Sequence, residues 1–250
     1  MRNVLICEGS TDYALLQYFM RKAYGWNDSK KDILQDDSKF ARARTLVKDD
    51  DTLTIAGAGD CNKIVPCVSR ILEINTISSK KEEFQKIVVV TDRDENGTEE
   101  DFKNKLKKCF DDYSVEVEKD IEHNEWIKCS CKNGRGRRIE FSLLLLVIPF
   151  ETTGALETFL LEAVAKNDEY DAEIIRKGNS FVDGIDPEER YLNQRRYKTK
   201  AKFDVYFSVR TAVGQFVERQ NILKNIDWEN YIEIQTSFKK LEDLSVNEES

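Results

Sequence analysis

The chain has 250 residues, 40% hydrophobic and 34% charged, with a formal net charge of −8. That length suits one large domain or a domain with an appendage, and the composition suits a globular fold with a solvated surface. No apolar run approaches the roughly 20 residues that cross a bilayer, and the acidic balance argues against nonspecific coating of nucleic acid without excluding an enzyme that acts on it.

The opening stretch Met1 to Glu8 is too briefly apolar for a signal peptide, so a cytoplasmic protein without a membrane partner is expected. Six cysteines in such a chain give no reason for a disulfide framework. Cys129 and Cys131 alternate like strand residues and lack a second Cys or His pair, so no zinc site is expected. His123 is the single histidine, which leaves His-dependent triads without material. Hydrolytic chemistry would have to come from carboxylates and metal.

Val4 to Cys7 reads as a buried strand ended by Glu8-Gly9. Tyr13, Leu15, Leu16, Phe19 and Met20 then recur at helical spacing, with Gly25 as the stop. Asn27 to Asp51 is polar and predicts a long excursion or a short helix. Thr52 to Ala56 reads as a strand closed by Gly57-Ala-Gly59-Asp60, and Ile64, Val65, Val68, Ile71 and Leu72 mark a helix. Lys86 to Thr91 is the clearest strand, β-branched and bounded by turn residues. A helix through Phe102, Leu106 and Phe110 follows. Alternating strands and helices imply parallel βαβ units, hence an α/β fold. Tyr113–Val117, Glu125–Cys131 and Ile139–Ile148 are strand-like, and from Thr153 onward the pattern is helical, through Phe203, Tyr206, Phe207, Val209, Val213 and Phe216. The acidic tail after Phe238 predicts fraying.

In an open α/β sheet, ligands bind outside the carboxyl ends of the strands. Glu8 and Asp12 follow the first strand, Asp92 and Asp94 the strongest one, and Glu157 the long apolar one. Asp92 and Asp94, two apart on an extended end, project to one side while Arg93 points away. Paired hard oxygen donors suit Mg²⁺, which keeps several waters and takes only one or two carboxylates directly. Glu8 completes the cluster if its strand is a neighbour.

The order of these motifs resembles the TOPRIM superfamily. Val4-Leu-Ile-Cys-Glu-Gly-Ser-Thr-Asp12 is similar to its apolar-strand-Glu-Gly motif, and Ile87-Val-Val-Val-Thr-Asp-Arg-Asp94 to its Asp-x-Asp motif. The resemblance covers about residues 3 to 165 and extends to small stand-alone TOPRIM-like proteins and to the nuclease branch of the OLD (overcoming-lysogenization-defect) family. It implies a Rossmann-like sheet with parallel central strands over 1–165, followed by a mostly helical region, 166–250, packed on it. It further implies Mg²⁺ or Mn²⁺ held by Asp92 and Asp94, with Glu8 as metal ligand or general acid/base. Asp12 and Glu157 would help hold metal, and a downstream lysine (Lys198, Lys200 or Lys202, with Lys202 taken as the catalytic candidate) would steady the transition state. The chain lacks a topoisomerase's surrounding domains, a primase's zinc module, and the GxxxxGK[ST] loop of an OLD ATPase.

The reading is therefore a metal-dependent phosphodiester-cleaving enzyme, a nuclease acting on DNA or RNA. Arg135, Arg137 and Arg138 in one basic stretch, and Arg195, Arg196, Lys198 and Lys200 in another, would hold the phosphate backbone. Two alternatives belong to other classes. One is a non-enzymatic nucleic-acid- or protein-binding module. The other is a calcium-binding module, because Asp92-Arg-Asp94-Glu-Asn96-Gly97 matches the start of a calcium loop, although its twelfth position is Lys103 where a bidentate Glu is needed.

Overall fold

A computed structural model describes residues 1–211 and 223–245. Eight strands form one sheet in the order β2-β3-β4-β1-β5-β8-β7-β6. They are β1 (Arg2–Cys7), β2 (Asn27–Asp28), β3 (Arg42–Lys48), β4 (Asp51–Gly57), β5 (Lys86–Asp92), β6 (Glu116–Val117), β7 (Trp126–Lys132) and β8 (Arg138–Ile148). The central four, β4, β1, β5 and β8, run parallel, and antiparallel strands flank them on both sides. The expected α/β fold is the observed one.

Parallel strands covered on both faces read as continuous apolar runs, because alternate side chains enter two different cores. Leu5, Cys7, Val88, Val90, Leu144 and Leu146 pack on one face against α1 (Ser10–Tyr24) and the later helices. Val4, Ile6, Val89, Leu143 and Leu145 pack on the other against α2 (Ile64–Ile77) and α3 (Thr98–Asp112). Beyond β8 the chain returns to the first face as α4 (Leu156–Asn167), α5 (Glu169–Ile185), α6 (Arg195–Arg210) and α7 (Ile232–Phe238). Phe159, Ile175, Phe203, Phe207, Trp228 and Phe238 join the same hydrophobic cluster as the sheet. The helical region past residue 165 thus completes a core that the strands alone leave open.

Two expectations change. The polar segment between Asn27 and Asp51 contains β2 and β3, where a loop or short helix is predicted. In Arg42-Ala-Arg-Thr-Leu-Val-Lys48, charge on a sheet flank dilutes the strand signal, although Leu46 is fully buried. The first part of the tail, residues 239–245, is also better ordered than its composition suggests. A 3₁₀ turn over Lys239–Ser245 buries Leu241 and Leu244, and the Leu244 carbonyl accepts the Asn3 side-chain amide at 2.7 Å. Val213 and Phe216, predicted on a helical face, lie outside the described residues. Among the described residues, no helix is long and apolar enough to cross a membrane.

Candidate acidic active site

The chain passes from β1 to β4 on one side, then through α2 to β5 on the other side of β1. The β1/β5 boundary is therefore the point where the connections diverge and a crevice opens at the strand ends. Register fixes what enters it. Cys7 pairs with Gly57 on one side and Val90 on the other, and Asp92 pairs with Ile148. Glu8 consequently leaves β1 level with Thr91, one step from Asp92 on the adjoining strand.

Glu8, Asp12, Asp92, Asp94 and Glu157 all line one cavity of about 630 Å³. Asp12 reaches it from the first turn of α1, where its Oδ2 accepts the Gly9 amide at 2.6 Å and fixes the helix entry. Glu157 comes from the first turn of α4, and its Oε1 accepts the Thr11 hydroxyl at 2.9 Å. The Asp92 Oδ1 accepts the Leu156 amide at the start of α4, 3.0 Å away. Arg93 turns to the opposite side as expected, where Nε donates to the Pro149 carbonyl at 2.7 Å and Nη2 lies 3.1 Å from Glu99. A backbone bridge between Arg93 and Gly154 ties the ends of β5 and β8 together. Gly154 fits closely there, since a Cβ would lie 3.0 Å from Thr158 Cβ and the Thr158 side chain would have to give way.

Three of these carboxylates are held above the usual carboxylate range. Burial, reinforced by Asp12, Asp94, Asp60 and Glu157, raises the Glu8 carboxyl to about 7. Asp12 rises to about 6 through burial and Glu157, against the Gly9 hydrogen bond and Lys200, which pull it down. Asp92 is pushed well above the usual carboxylate range by burial, with Asp12, Glu8 and Glu157 adding to it. The buried Glu8 Oε2 has no hydrogen-bond partner. Among the described residues, no group of three or more His, Cys, Asp and Glu side chains is arranged to hold a metal ion. Mg²⁺ takes only one or two carboxylates directly, and the orphaned Glu8 oxygen among the other acids is compatible with such a cation.

Sequence reasoning missed part of the lining. Arg42 of β3, Asp60 and Cys61 of the loop after β4, and Gln194 and Thr199 also face the cavity. The Gly57 to Asp60 turn is brought here by strand pairing: Gly59 adopts φ +89° and its amide donates to the Glu8 carbonyl at 2.8 Å, joining two strand-end loops. Arg42 had no signal, because its strand was unrecognised.

A family model described as "Protein of unknown function (DUF3226)" matches residues 2–242. The chain belongs to this family. No curated protein matches the sequence. Among solved structures, a hypothetical protein of Pyrococcus horikoshii OT3 (PH0156) is 19% identical, with a TM-score of 0.54 over 97% of this chain and 91% of that one. That likeness concerns the fold alone. A glyoxalase/bleomycin resistance protein/dioxygenase family enzyme from Burkholderia phytofirmans PsJN, 11% identical over 58% of this chain and 97% of that one, has a TM-score of only 0.18 and bears on nothing below.

The basic residues divide sharply. Arg195, Arg196 and Lys200 of α6 line the acidic cavity, and Arg195 Nη1 donates to the Asp94 carbonyl. Lys198 instead pairs with Glu189 at 2.8 Å. Lys202, the expected catalytic lysine, pairs with Asp183 at 2.8 Å outside the cavity lining. Position along the helix explains the correction: Lys202 lies seven residues, about 10 Å of helix rise, past Arg195, and the cavity takes only the first turns of α6. Arg135, Arg137 and Arg138 are also displaced from their expected role. They sit at the β7–β8 hairpin, at the amino end of β8, ten residues before Ile148. At 3.3 Å per residue this is roughly 33 Å from the acids. Arg137 is engaged there with Glu83, and Arg138 lies 3.2 Å from Glu140. The calcium-loop reading fares no better: the run joins the end of β5 to α3 without a preceding helix, and Lys103 is ion-paired to Glu99, Glu100 and Glu122.

Proposed function

We propose that the protein is a divalent-metal-dependent phosphodiesterase of TOPRIM type, a nuclease whose site is the crevice between β1 and β5. The observation that supports this most is the opposition of two charge sets across one cavity. Buried acids with elevated pKa values form its floor, and Arg195, Arg196, Lys200 and Arg42 stand on its walls. Clustered carboxylates favour a cation, which would return them to their charged forms. A basic wall suits the anionic phosphate that such a cation would meet.

Mg²⁺ or Mn²⁺, when bound, would supply Lewis-acid stabilisation of charge developing on a phosphoryl oxygen. Asp92 and Asp94 are the residues to hold it, with Asp12 and Glu157 adjoining. Asp92 is suited to a fixed role because the Leu156 amide already orients one of its oxygens. Glu8 is the residue to take a proton, since its Oε2 is buried beside the other acids without a hydrogen-bond partner of its own. Lys200, whose charge already acts on Asp12, takes the transition-state role expected of a lysine here.

The test is cleavage of labelled single- and double-stranded DNA and RNA in Mg²⁺ and Mn²⁺ by the wild type, Asp92→Asn and Glu8→Gln. Metal-dependent cleavage that both variants lose is the expected result. Equal activity in all three would refute the assignment. Binding without cleavage under every condition would favour a non-enzymatic nucleic-acid-binding module.

A further inference from the structure

Within the stretch from Arg190 to Lys200, Arg195, Arg196 and Lys200 line the acidic cavity, and Tyr191 and Tyr197 are their near neighbours in the chain. Tyr191 is 71% exposed and Tyr197 39%, so both rings are open to solvent. Each carries an arginine on its face: the Arg190 guanidinium is 5.3 Å from the Tyr191 ring centroid, and that of Arg196 is 5.0 Å from the Tyr197 ring. The loop bearing Tyr191 is held in place, because the Asp186 carboxylate accepts the amides of Arg190, Tyr191 and Leu192 at 3.1, 2.7 and 2.7 Å. Tyr191 is therefore presented outward by a fixed backbone.

Among the described residues, Arg190, Arg195, Arg196 and Lys200 have no carboxylate within ion-pair distance, whereas Lys198 and Lys202 do. In a chain with net charge −8, this concentrates unneutralised positive charge along one rim. Exposed rings stacked with arginine and flanked by cations without carboxylate partners are what an unpaired nucleic-acid strand requires. Its bases need π-faces and its phosphates need positive charge. A duplex offers the same phosphates but keeps its bases stacked on one another.

We propose that Tyr191 and Tyr197, with Arg190 and Arg196, form a stacking platform for an unpaired strand that leads a phosphate into the acidic crevice. Tyr191 lies four residues from Arg195, a chain distance of at most about 14 Å. That corresponds to roughly four stacked nucleotides at 3.4 Å each, so platform and cavity engage the same short stretch of strand. The proposal rests on the nuclease reading for its choice of ligand, and its own prediction concerns binding.

The experiment is fluorescence anisotropy with a labelled 12-nucleotide single strand, the same strand carrying abasic sites, and a duplex, in EDTA so that cleavage plays no part. Wild type, Tyr191→Ala, Tyr197→Ala, the double variant and Tyr197→Trp are compared. Each alanine change should weaken binding of the normal strand about five-fold or more, with Tyr197→Trp retaining it. The abasic strand and the duplex should show little difference among the variants. Because both rings are exposed, melting temperatures should stay together, which separates lost stacking from lost fold. Equal loss on normal and abasic strands, or stronger binding of duplex than of single strand, would overturn the platform. Metal-dependent cleavage of duplex, unchanged in the double variant, would also overturn it while leaving the nuclease reading intact. Tyrosine-dependent strand binding by a wild type that cleaves nothing would do the reverse.

Discussion

The two ends of the sheet are both heavily charged, and they handle charge in opposite ways. At the amino ends of the parallel strands, Arg137 meets Glu83, Arg138 meets Glu140, and the carboxy-terminal turn seals the strand starts. There Asn3 and Lys86 donate to the carbonyls of Leu244 and Asp243, and the Trp126 indole donates to Asp243 Oδ2 at 2.9 Å. At the carboxyl ends, Glu8, Asp12 and Asp92 lie in a crevice without ion-pair partners among the described residues, and their pKa values climb. Paired charge of the first kind is architecture and adds little net stability at a surface. Crowded, unneutralised charge of the second kind destabilises the fold, and such perturbed groups cluster where chemistry is done.

The largest effect that can break this contrast is catalytic. Glu8→Gln should lower metal-dependent cleavage by about 10²- to 10⁴-fold, the scale of a lost general acid/base, while Arg138→Ala at the other end leaves it within about two-fold. Comparable losses from the two variants, measured as initial rates on a labelled strand, would mean that the two ends do not differ as described.

A smaller but firm effect concerns the sealed end. Leu241→Ala removes a fully buried side chain from the main core and should cost about 2–5 kcal/mol in urea unfolding. A cost near zero would restore the frayed tail that the composition suggests.

The third effect has a definite sign. Glu8 titrates near 7 in the folded protein and near 4.5 when unfolded, so the folded state binds the proton more tightly. Stability is then lost as pH rises from about 4.5 through about 7, and at pH 8 the charged carboxylate costs roughly 3 kcal/mol. In EDTA, Glu8→Gln should therefore raise the melting temperature at pH 8 and leave it almost unchanged at pH 4. Added Mg²⁺ should stabilise the wild type more than the variant. A pH-independent difference would mean that burial and the neighbouring acids do not raise the Glu8 carboxyl.

The smallest effect sharpens the choice of lysine. Lys202→Met removes a solvent-facing pair with Asp183 and should change stability by less than about 1 kcal/mol and cleavage hardly at all. Lys200→Met should reduce cleavage clearly, and the opposite ranking would reinstate Lys202.

Much of this site was legible because its acids sit at fixed offsets from strong strands. Val4 to Cys7 and Lys86 to Thr91 are apolar on both faces, so the strands announce themselves, and the residues just past them must fall at the sheet edge. Arg42 and Asp60 were not legible as site residues. Arg42 begins a flanking strand whose charged residues imitate a loop, and Asp60 enters only through the β1–β4 pairing.

Local periodicity therefore determined the α/β class, the main strands and the first three helices, because each depends on which residues must leave water within a few turns of chain. Tertiary structure alone decided which charges meet. Strand order set Glu8 beside Asp92, the direction of β8 carried Arg135, Arg137 and Arg138 to the far end, and the docking of α6 put Lys200 in the cavity and Lys202 outside it. Electrostatic neighbours depend on distance through space, which a one-dimensional pattern does not encode.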